Sequence, residues 1–292
     1  MAATEWERSE TEPGSIILGR YRLLSPLASG AMGSVWRAQD LTLLRTVALK
    51  LLFVREDAAG RTMGERFLRE ARIAAGIRHR NVVDVLDFGT SEQGRPFMVM
   101  ELLEGESLES RCERLPALTL HELITIVAGV LDGLTAVHKV GVVHRDLKPA
   151  NILLVASEDS DPRPKLVDFG VAHAPERRSA LTSVTGIVVG TPEYMSPEQA
   201  RGVPVDARSD LYSVGAILYE ALAGRLPYEQ EALGDLIIAI ASGGAPPVAE
   251  VRPEVGEAIS AVVSRAMELR PEDRFQSARE MRDALLRALW KR

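Results

Sequence analysis

The apolar residues of this chain change their repeat partway along, and few architectures accommodate the change. Up to about residue 102 they fall in short runs: Tyr21–Leu27, Ser34–Asp40, Thr46–Leu52, Val82–Gly89 and Pro96–Leu102. Val, Leu, Phe and Trp recur in these runs, and Gly or polar turns separate them, which is the pattern of strands. One helical stretch, 62–77, interrupts the series, with Phe67, Leu68, Ala71, Ile73 and Ala74 at broadly helical spacing. After Glu104-Gly105 the period becomes helical. Leu120, Leu123, Ile124, Val127, Leu131 and Leu134 form one stripe ahead of Gly141, and Leu211, Val214, Ile217, Leu218 and Ala221 form another ahead of Gly224. Ser277 with Glu280 makes a capping box for a last helix. The expectation is an α+β chain of two lobes: a small antiparallel sheet with one helix, then a larger, mainly helical lobe, joined near 101–105. Clefts between lobes are favoured ligand sites.

Charge and cysteine content narrow the function. The chain has 292 residues, enough for one large core or two modest lobes. A formal charge of -6 argues against a nucleic-acid partner. The single cysteine, Cys112, cannot form an internal disulfide, so nothing requires an oxidising compartment, and it reads as a bystander thiol. Residues 1–13 are acidic and polar, unlike a signal peptide. No run of about 18 apolar residues occurs, and Leu236–Ala241 is too short to span a membrane. The expectation is a cytoplasmic protein with no membrane segment and a disordered tail over 1–18.

The densest chemistry lies in Val143-His-Arg-Asp-Leu-Lys-Pro-Ala-Asn151 and Asp168-Phe-Gly170. Two strand-like runs, Ile152–Val155 and Lys165–Asp168, flank the polar turn Glu158–Pro164, so a hairpin would bring Asn151 and Asp168 together. An amide and a carboxylate side by side, beside the second carboxylate of Asp146, suit oxygen-ligated magnesium next to a general base. Gly30 and Gly33, in Leu27-Ala-Ser-Gly-Ala-Met-Gly-Ser-Val35, would let a hairpin backbone approach phosphate oxygens, although many hairpins contain two glycines. Lys50 stands in an otherwise apolar strand, where an unpaired ammonium is expensive. Glu70 alone reads equally as a solvated helix charge, and Met98–Leu103 as an apolar edge strand.

Taken together, these residues resemble the protein-kinase signature set, and Gly190-Thr-Pro-Glu-Tyr-Met-Ser-Pro-Glu-Gln-Ala-Arg-Gly202 resembles the bacterial branch of eukaryotic-like (Hanks-type) serine/threonine protein kinases. The resemblance runs from about Gly19 to the C-terminus. It implies a bilobal catalytic domain over 19–292, with an N-lobe at 19–100, a hinge at 101–104 and a C-lobe at 105–292. It also implies transfer of the γ-phosphoryl group of ATP, with magnesium or manganese, to protein Ser and Thr hydroxyls. Asp146 would handle the hydroxyl proton and Lys148 would neutralise the transferring phosphate. Lys50, paired with Glu70, would hold the α- and β-phosphates, and Asn151 and Asp168 would ligate the metal. Leu27, Gly30, Gly33, Val35, Ala48, Met100, Glu101, Leu103 and Leu153 would bind the nucleotide. His144 is expected to be a packed core histidine with no catalytic part.

Three further assignments follow from the resemblance. Glu198 would pair with Arg274, Asp210 would brace the catalytic-loop backbone, and Thr191 would contact the catalytic Asp. Ala28 stands where the family has its first glycine, and Ser196 where it has Ala. Arg145 would dock a phosphate on the 170–191 segment, with Thr185 as the autophosphorylation site, Ser183 and Thr182 as secondary sites, and Ser179 also available. Self-association would serve phosphorylation in trans. The rival readings are a pseudokinase scaffold, a small-molecule phosphotransferase and a pure interaction module.

Overall fold

The computed structural model describes residues 12–30, 33–53, 58–114, 118–156, 162–168 and 192–290. Contacts group them into two units: the chain up to Arg78 with Val83–Glu104, and His79–Val82 with the chain from Gly105 onward.

In the first unit, alternation along the strands builds a six-stranded antiparallel sheet. Its members are β1 (Ile16–Ile17), β2 (Tyr21–Gly30), β3 (Gly33–Asp40), β4 (Arg45–Leu52), β5 (Val85–Thr90) and β6 (Pro96–Glu101), in the order β1-β2-β3-β4-β6-β5. Trp36 and Ala38, Val47, Leu49 and Leu51, and Phe97 and Val99 all point to one face, where they pack with Ile17, Tyr21 and Leu23. Each fully buried Val, Leu, Ile or Phe among them contributes about 1.5–3 kcal/mol. Helix α1 (Ala58–Ala74) packs on β5 and β6, burying Phe67, Ala71 and Ala74 at helical spacing. Ile73, expected on that stripe, is 37% exposed instead.

Two expectations need adjustment here. Ile16 and Ile17, placed in the disordered tail, pair with Arg22 and Tyr21, because Ile17 gains more by entering the core than by staying in water, while Ile16 on the opposite face stays exposed. The strand expected over Val82–Gly89 begins at Val85. Val82 makes a parallel bridge to Leu166 in the second unit instead.

The second unit holds a three-stranded sheet of β7 (Gly105–Ser107), β8 (Ile152–Val155) and β9 (Arg163–Leu166), ordered β7-β8-β9. Its helices are α2 (Leu108–Glu113), α3 (Leu120–Lys139), α4 (Pro197–Ala200), α5 (Ala207–Ala223), α6 (Leu233–Ser242), α7 (Val248–Val251), α8 (Glu257–Ala266) and α9 (Ala278–Trp290). A full capping box, Thr119 with Glu122, opens α3. By length and composition α3 could cross a membrane. Its apolar side chains, however, are buried against β9, α5 and α9. Gly224 closes α5 in the left-handed conformation (φ +72°), as its position after the apolar stripe implies. At the last helix the expected box is half formed: Ser277 accepts the Glu280 N–H, while the Glu280 carboxylate accepts from the Gln276 N–H and from Arg265.

Candidate active site

The first unit presents, on the side opposite its core, a second sheet face. Since Val47, Leu49 and Leu51 face the core, Ala48 and Lys50 face the other way. Register then sets two rows across β3, β4 and β6: Val35, Lys50 and Met98, and beside it Arg37, Ala48 and Met100. Val35, Ala48, Lys50 and Met100, four of the predicted nucleotide-binding residues, therefore share one face. Glu101 ends β6, where its carboxylate accepts from the Asp84 N–H at 2.8 Å, and Leu103 follows, half-buried. Glu70 is half-buried on α1. Leu27 is 47% exposed at a register shift in β2.

The two loop glycines differ. A Cβ on Gly33 would lie 2.2 Å from the Leu51 carbonyl oxygen, so Gly33 is required by the close approach of β3 to β4. Among the described residues a Cβ on Gly30 would meet nothing within 4 Å, so the sheet itself makes no demand for glycine there. Ala28 pairs with Val35 within the ladder.

The second unit contains a loop held by buried polar groups. Residues 142–148 have no regular structure, and Arg145 sits in the left-handed region (φ +65°), as does Asp168 (φ +52°). Left-handed conformations of residues other than glycine cost about 1–3 kcal/mol and persist only where surroundings impose them. For Arg145 the imposing group is Asp210, 1% exposed. Its carboxylate accepts the Arg145 N–H (2.9 Å) at one oxygen, and the His144 N–H (2.9 Å) and His138 Nε2 (2.7 Å) at the other. This is the expected brace, with His138 as an additional member. The His144 ring is fully buried, and burial, partly opposed by Asp210 and Asp146, keeps it below the ordinary imidazole range. It is thus neutral near pH 7, and its Nε2 donates to the Val167 carbonyl at 3.1 Å. This agrees with a packed histidine.

From this loop the chain runs through Asn151 into β8. The β8–β9 hairpin forms as the sequence implies: Ile152 pairs with Leu166, and the Val167 N–H donates to the Asn151 carbonyl at 3.1 Å, just before Asp168. Asn151 Nδ2 donates to the Asp146 carbonyl (2.7 Å) and to Asp146 Oδ2 (3.2 Å). Lys148 Nζ lies 3.7 Å from the same Oδ2. With its nitrogen engaged, the amide of Asn151 has its oxygen left for a cation. Leu153 follows in β8, half-buried.

The segment after 191 is tied to this loop. Ser196 caps α4, accepting the Gln199 N–H, and the Gln199 side chain returns a bond from the Ser196 N–H at 3.0 Å. The departure at Ser196 therefore has a local cause, a full capping box. Gln199 Nε2 also donates to the Arg145 carbonyl at 2.8 Å. Glu198 and Arg274 pair through two 2.8 Å bonds with both side chains buried, as expected, and Ser209 donates to Glu198 at 2.5 Å. Burial works against ionising Glu198, but the bonds from Arg274 and Ser209 prevail and hold its carboxyl below the ordinary range.

Several contacts carry no sequence signal. Asn81 clamps β9, donating from its side chain to the Pro164 carbonyl (2.8 Å) and accepting the Leu166 N–H (2.9 Å). Gly129 and Gly133 of α3 make room for it: a Cβ on either would lie within about 3.3 Å of Asn81 atoms. Phe169, Gly170, Ser179, Thr182, Ser183, Thr185 and Thr191 lie outside the described residues.

A family model described as a protein kinase domain matches residues 21–285. A Myxococcus xanthus protein, serine/threonine-protein kinase pkn2, is 39% identical over 281 residues, covering 94% of this chain and 33% of that protein. Serine/threonine-protein kinase PksC of Streptomyces coelicolor is 41% identical over 278 residues, covering 92% of this chain and 49% of that one. The chain thus spans between a third and a half of these relatives' length. Among solved structures, the PknI kinase domain of Mycobacterium tuberculosis superimposes with a TM-score of 0.75 at 30% identity, covering 96% of this chain and 99% of that one.

Proposed function

Because this chain belongs to the protein kinase family, we propose that it is an active serine/threonine protein kinase that transfers the γ-phosphoryl group of ATP to protein hydroxyls. One observation carries the reading: Asn151 Nδ2 and Lys148 Nζ both address Asp146 Oδ2, at 3.2 and 3.7 Å, while the Asn151 backbone is bonded next to Asp168. A scaffold or interaction module has no need for a carboxylate, an ammonium and an amide so arranged.

The donor set fits the cofactors. Among the described residues no group of three or more His, Cys, Asp or Glu side chains gathers as a metal site. Asn151 and Asp168 offer one amide oxygen and one carboxylate, and magnesium is commonly held by one or two such groups plus phosphate oxygens. Manganese accepts the same hard donors. When bound, magnesium and ATP supply the phosphoryl group and part of the compensation for its charge.

The protein's share is positioning and electrostatics. Asp146, oriented by Asn151, accepts the proton of the substrate hydroxyl. Lys148 neutralises charge on the transferring group. Lys50 holds the α- and β-phosphates and Glu70 holds Lys50, while the backbone at Gly30 and Gly33 covers the phosphates. Leu27, Val35, Ala48 and Met100 form the apolar seat for adenine, and the family pattern assigns Leu153 to the same ring. Glu101 and Leu103 bind the adenine edge through their backbone. Substrates are Ser- and Thr-bearing proteins of the cytoplasm. Regulation runs through autophosphorylation in trans at Thr185, secondarily Ser183 and Thr182, with Arg145 as the docking cation.

The test is phosphate transfer to a generic protein substrate with magnesium and ATP. Lys50→Met and Asp146→Asn should each reduce kcat/KM at least a hundredfold. Transfer that survives Asp146→Asn unchanged contradicts the assigned base.

A further inference from the structure

At one end of its sheet the first unit exposes a group of apolar side chains. Pairing of Tyr21 with Asp40, and of Asp40 with Arg45, sets the β1–β2 turn (residues 18–20) beside the β3–β4 turn (residues 41–44). The Leu41 N–H there donates to the Arg20 carbonyl at 2.8 Å. Leu18, Leu43 and Leu44 are 46%, 54% and 78% exposed, and Ile16, two residues before Leu18, is 44% exposed. Leu18 (φ +48°) and Leu44 (φ +51°) also hold the left-handed conformation, which glycine or asparagine adopts at less cost. Single exposed leucines need no explanation, but a group of them marks an interaction surface.

Charge restricts what could cover it. Asp40 and Asp87 are already engaged: Arg20 bonds both, and Tyr21 donates to Asp87. Arg22, opposite Ile16, and Arg45, opposite Asp40, are exposed and form no ion pair among the described residues. The patch therefore suits a large apolar group accompanied by carboxylates.

The chain's own N-terminal segment carries both. In residues 1–11 the charged side chains are Glu5, Glu7 and Glu10 against Arg8, and Trp6 is the one aromatic. The turn that follows aims this segment at the patch. The Ser15 N–H donates to the Glu12 carbonyl at 3.1 Å, with Pro13 and Gly14 (φ +97°) between them, as in a type II turn. Gly14 and Ser15 are in turn bonded to Leu23 of β2. Such a turn reverses the chain, so what precedes Glu12 heads back along β1, an edge of the sheet, toward Leu18. Six residues separate Trp6 from Glu12 and can span about 20 Å, while Leu18 lies only three residues beyond Ser15. A tethered segment also meets the patch at an effective concentration of about millimolar, an advantage over any free partner.

We propose that residues 5–11 lie across this end of the sheet, with Trp6 covering Leu18, Leu43 and Leu44 and the glutamates facing Arg22 and Arg45. The occupant is the chain's own segment and not a second copy. This surface does not depend on the kinase reading, and its test involves no phosphoryl transfer.

The full chain is labelled with fluorotryptophan and read by fluorine NMR. It has three tryptophans, and two serve as references: Trp36, 5% exposed in the core, reports folding, and Trp290, 82% exposed, reports solvent. The Trp6 resonance, identified by its loss in Trp6→Phe, should be displaced from that of a labelled peptide of residues 1–11. Leu43→Asp should return it to the peptide position, as should Leu44→Gly, which suits the left-handed backbone. Arg22→Glu combined with Arg45→Glu should move it in the same direction, and Trp36 should stay in place throughout. A wild-type Trp6 resonance at the peptide position overturns the proposal. A displacement that survives Leu43→Asp and Leu44→Gly also overturns it, because the segment then docks elsewhere. A displacement that grows with protein concentration, together with the sedimentation coefficient, gives the patch to a second copy and overturns it too. Should Leu43→Asp shift Trp36, Leu44→Gly decides alone.

Discussion

The two units present their candidate site residues by different physical means. In the first, strand register is sufficient: once Val47, Leu49 and Leu51 enter the core, Ala48 and Lys50 must face away, and pairing aligns them with Val35 and Met100. In the second, no periodic element holds residues 142–148, and buried polar side chains replace it. Asp210 holds the backbone at His144 and Arg145, Gln199 holds the Arg145 carbonyl, and Asn151 holds Asp146. A sheet can thus display groups through apolar burial alone. A loop carrying a left-handed arginine needs a charged network that is costly to break.

That contrast can be broken at four places. The largest effect is expected at the Glu198–Arg274 pair, where removing one partner of a buried bond strands a charge. Arg274→Ala should lower unfolding stability by about 3–5 kcal/mol in urea titrations. Because the folded Glu198 carboxyl lies below its ordinary value, this contribution is present at neutral pH and is lost as pH falls through the acid range below about 4.5. Arg274→Ala should therefore show a flatter acid limb than the wild type.

Next come the glycines. Gly33→Ala forces a Cβ against the Leu51 carbonyl and should cost about 1–3 kcal/mol. Gly30→Ala should leave stability within about 0.5 kcal/mol and act, if anywhere, on KM for ATP. Equal stability losses at both positions would contradict the assignment of Gly33 to the sheet. Gln199→Ala loosens the catalytic loop without touching substrate, so kcat should fall about tenfold while the Kd for ATP stays constant, as stopped-flow and equilibrium binding would show. The smallest effect is at the helix cap: Ser196→Ala should lower stability by about 1 kcal/mol, and Ser196→Asp should largely restore it.

Legibility in the sequence followed the same division. Period and turn residues are enough for β2, β3, β4 and β6, for α3 and α5, and for the β8–β9 hairpin, because apolar burial decides them locally, whereas the short strands β1 and β7 carry too few residues to show a period. Spacing within Val143–Asn151 also revealed the residues around Asp146. Long-range polar contacts were not legible from residue type or period. Nothing about Asn81 announces that its side chain crosses to Pro164, and nothing about His138 announces that it faces Asp210. Asp210 and the Glu198–Arg274 pair were reached only through family resemblance. Ser196, a departure from that pattern, is explained by its capping bond to Gln199, which residue type alone does not announce. The strand expected from Val82 starts at Val85 for the same reason: Val82 is apolar and strand-like, yet its bridge is to Leu166.

The most direct test of the central claim is phosphopeptide mass spectrometry of the purified chain after incubation with magnesium and ATP, beside Asp146→Asn. The account predicts phosphate on Thr185, with less on Ser183 and Thr182, in the wild type and none in the variant. Equal phosphate in both would show that Asp146 is not the base. An unmodified wild type that binds ATP and leaves a generic protein substrate untouched would contradict the kinase reading and favour a nucleotide-binding scaffold.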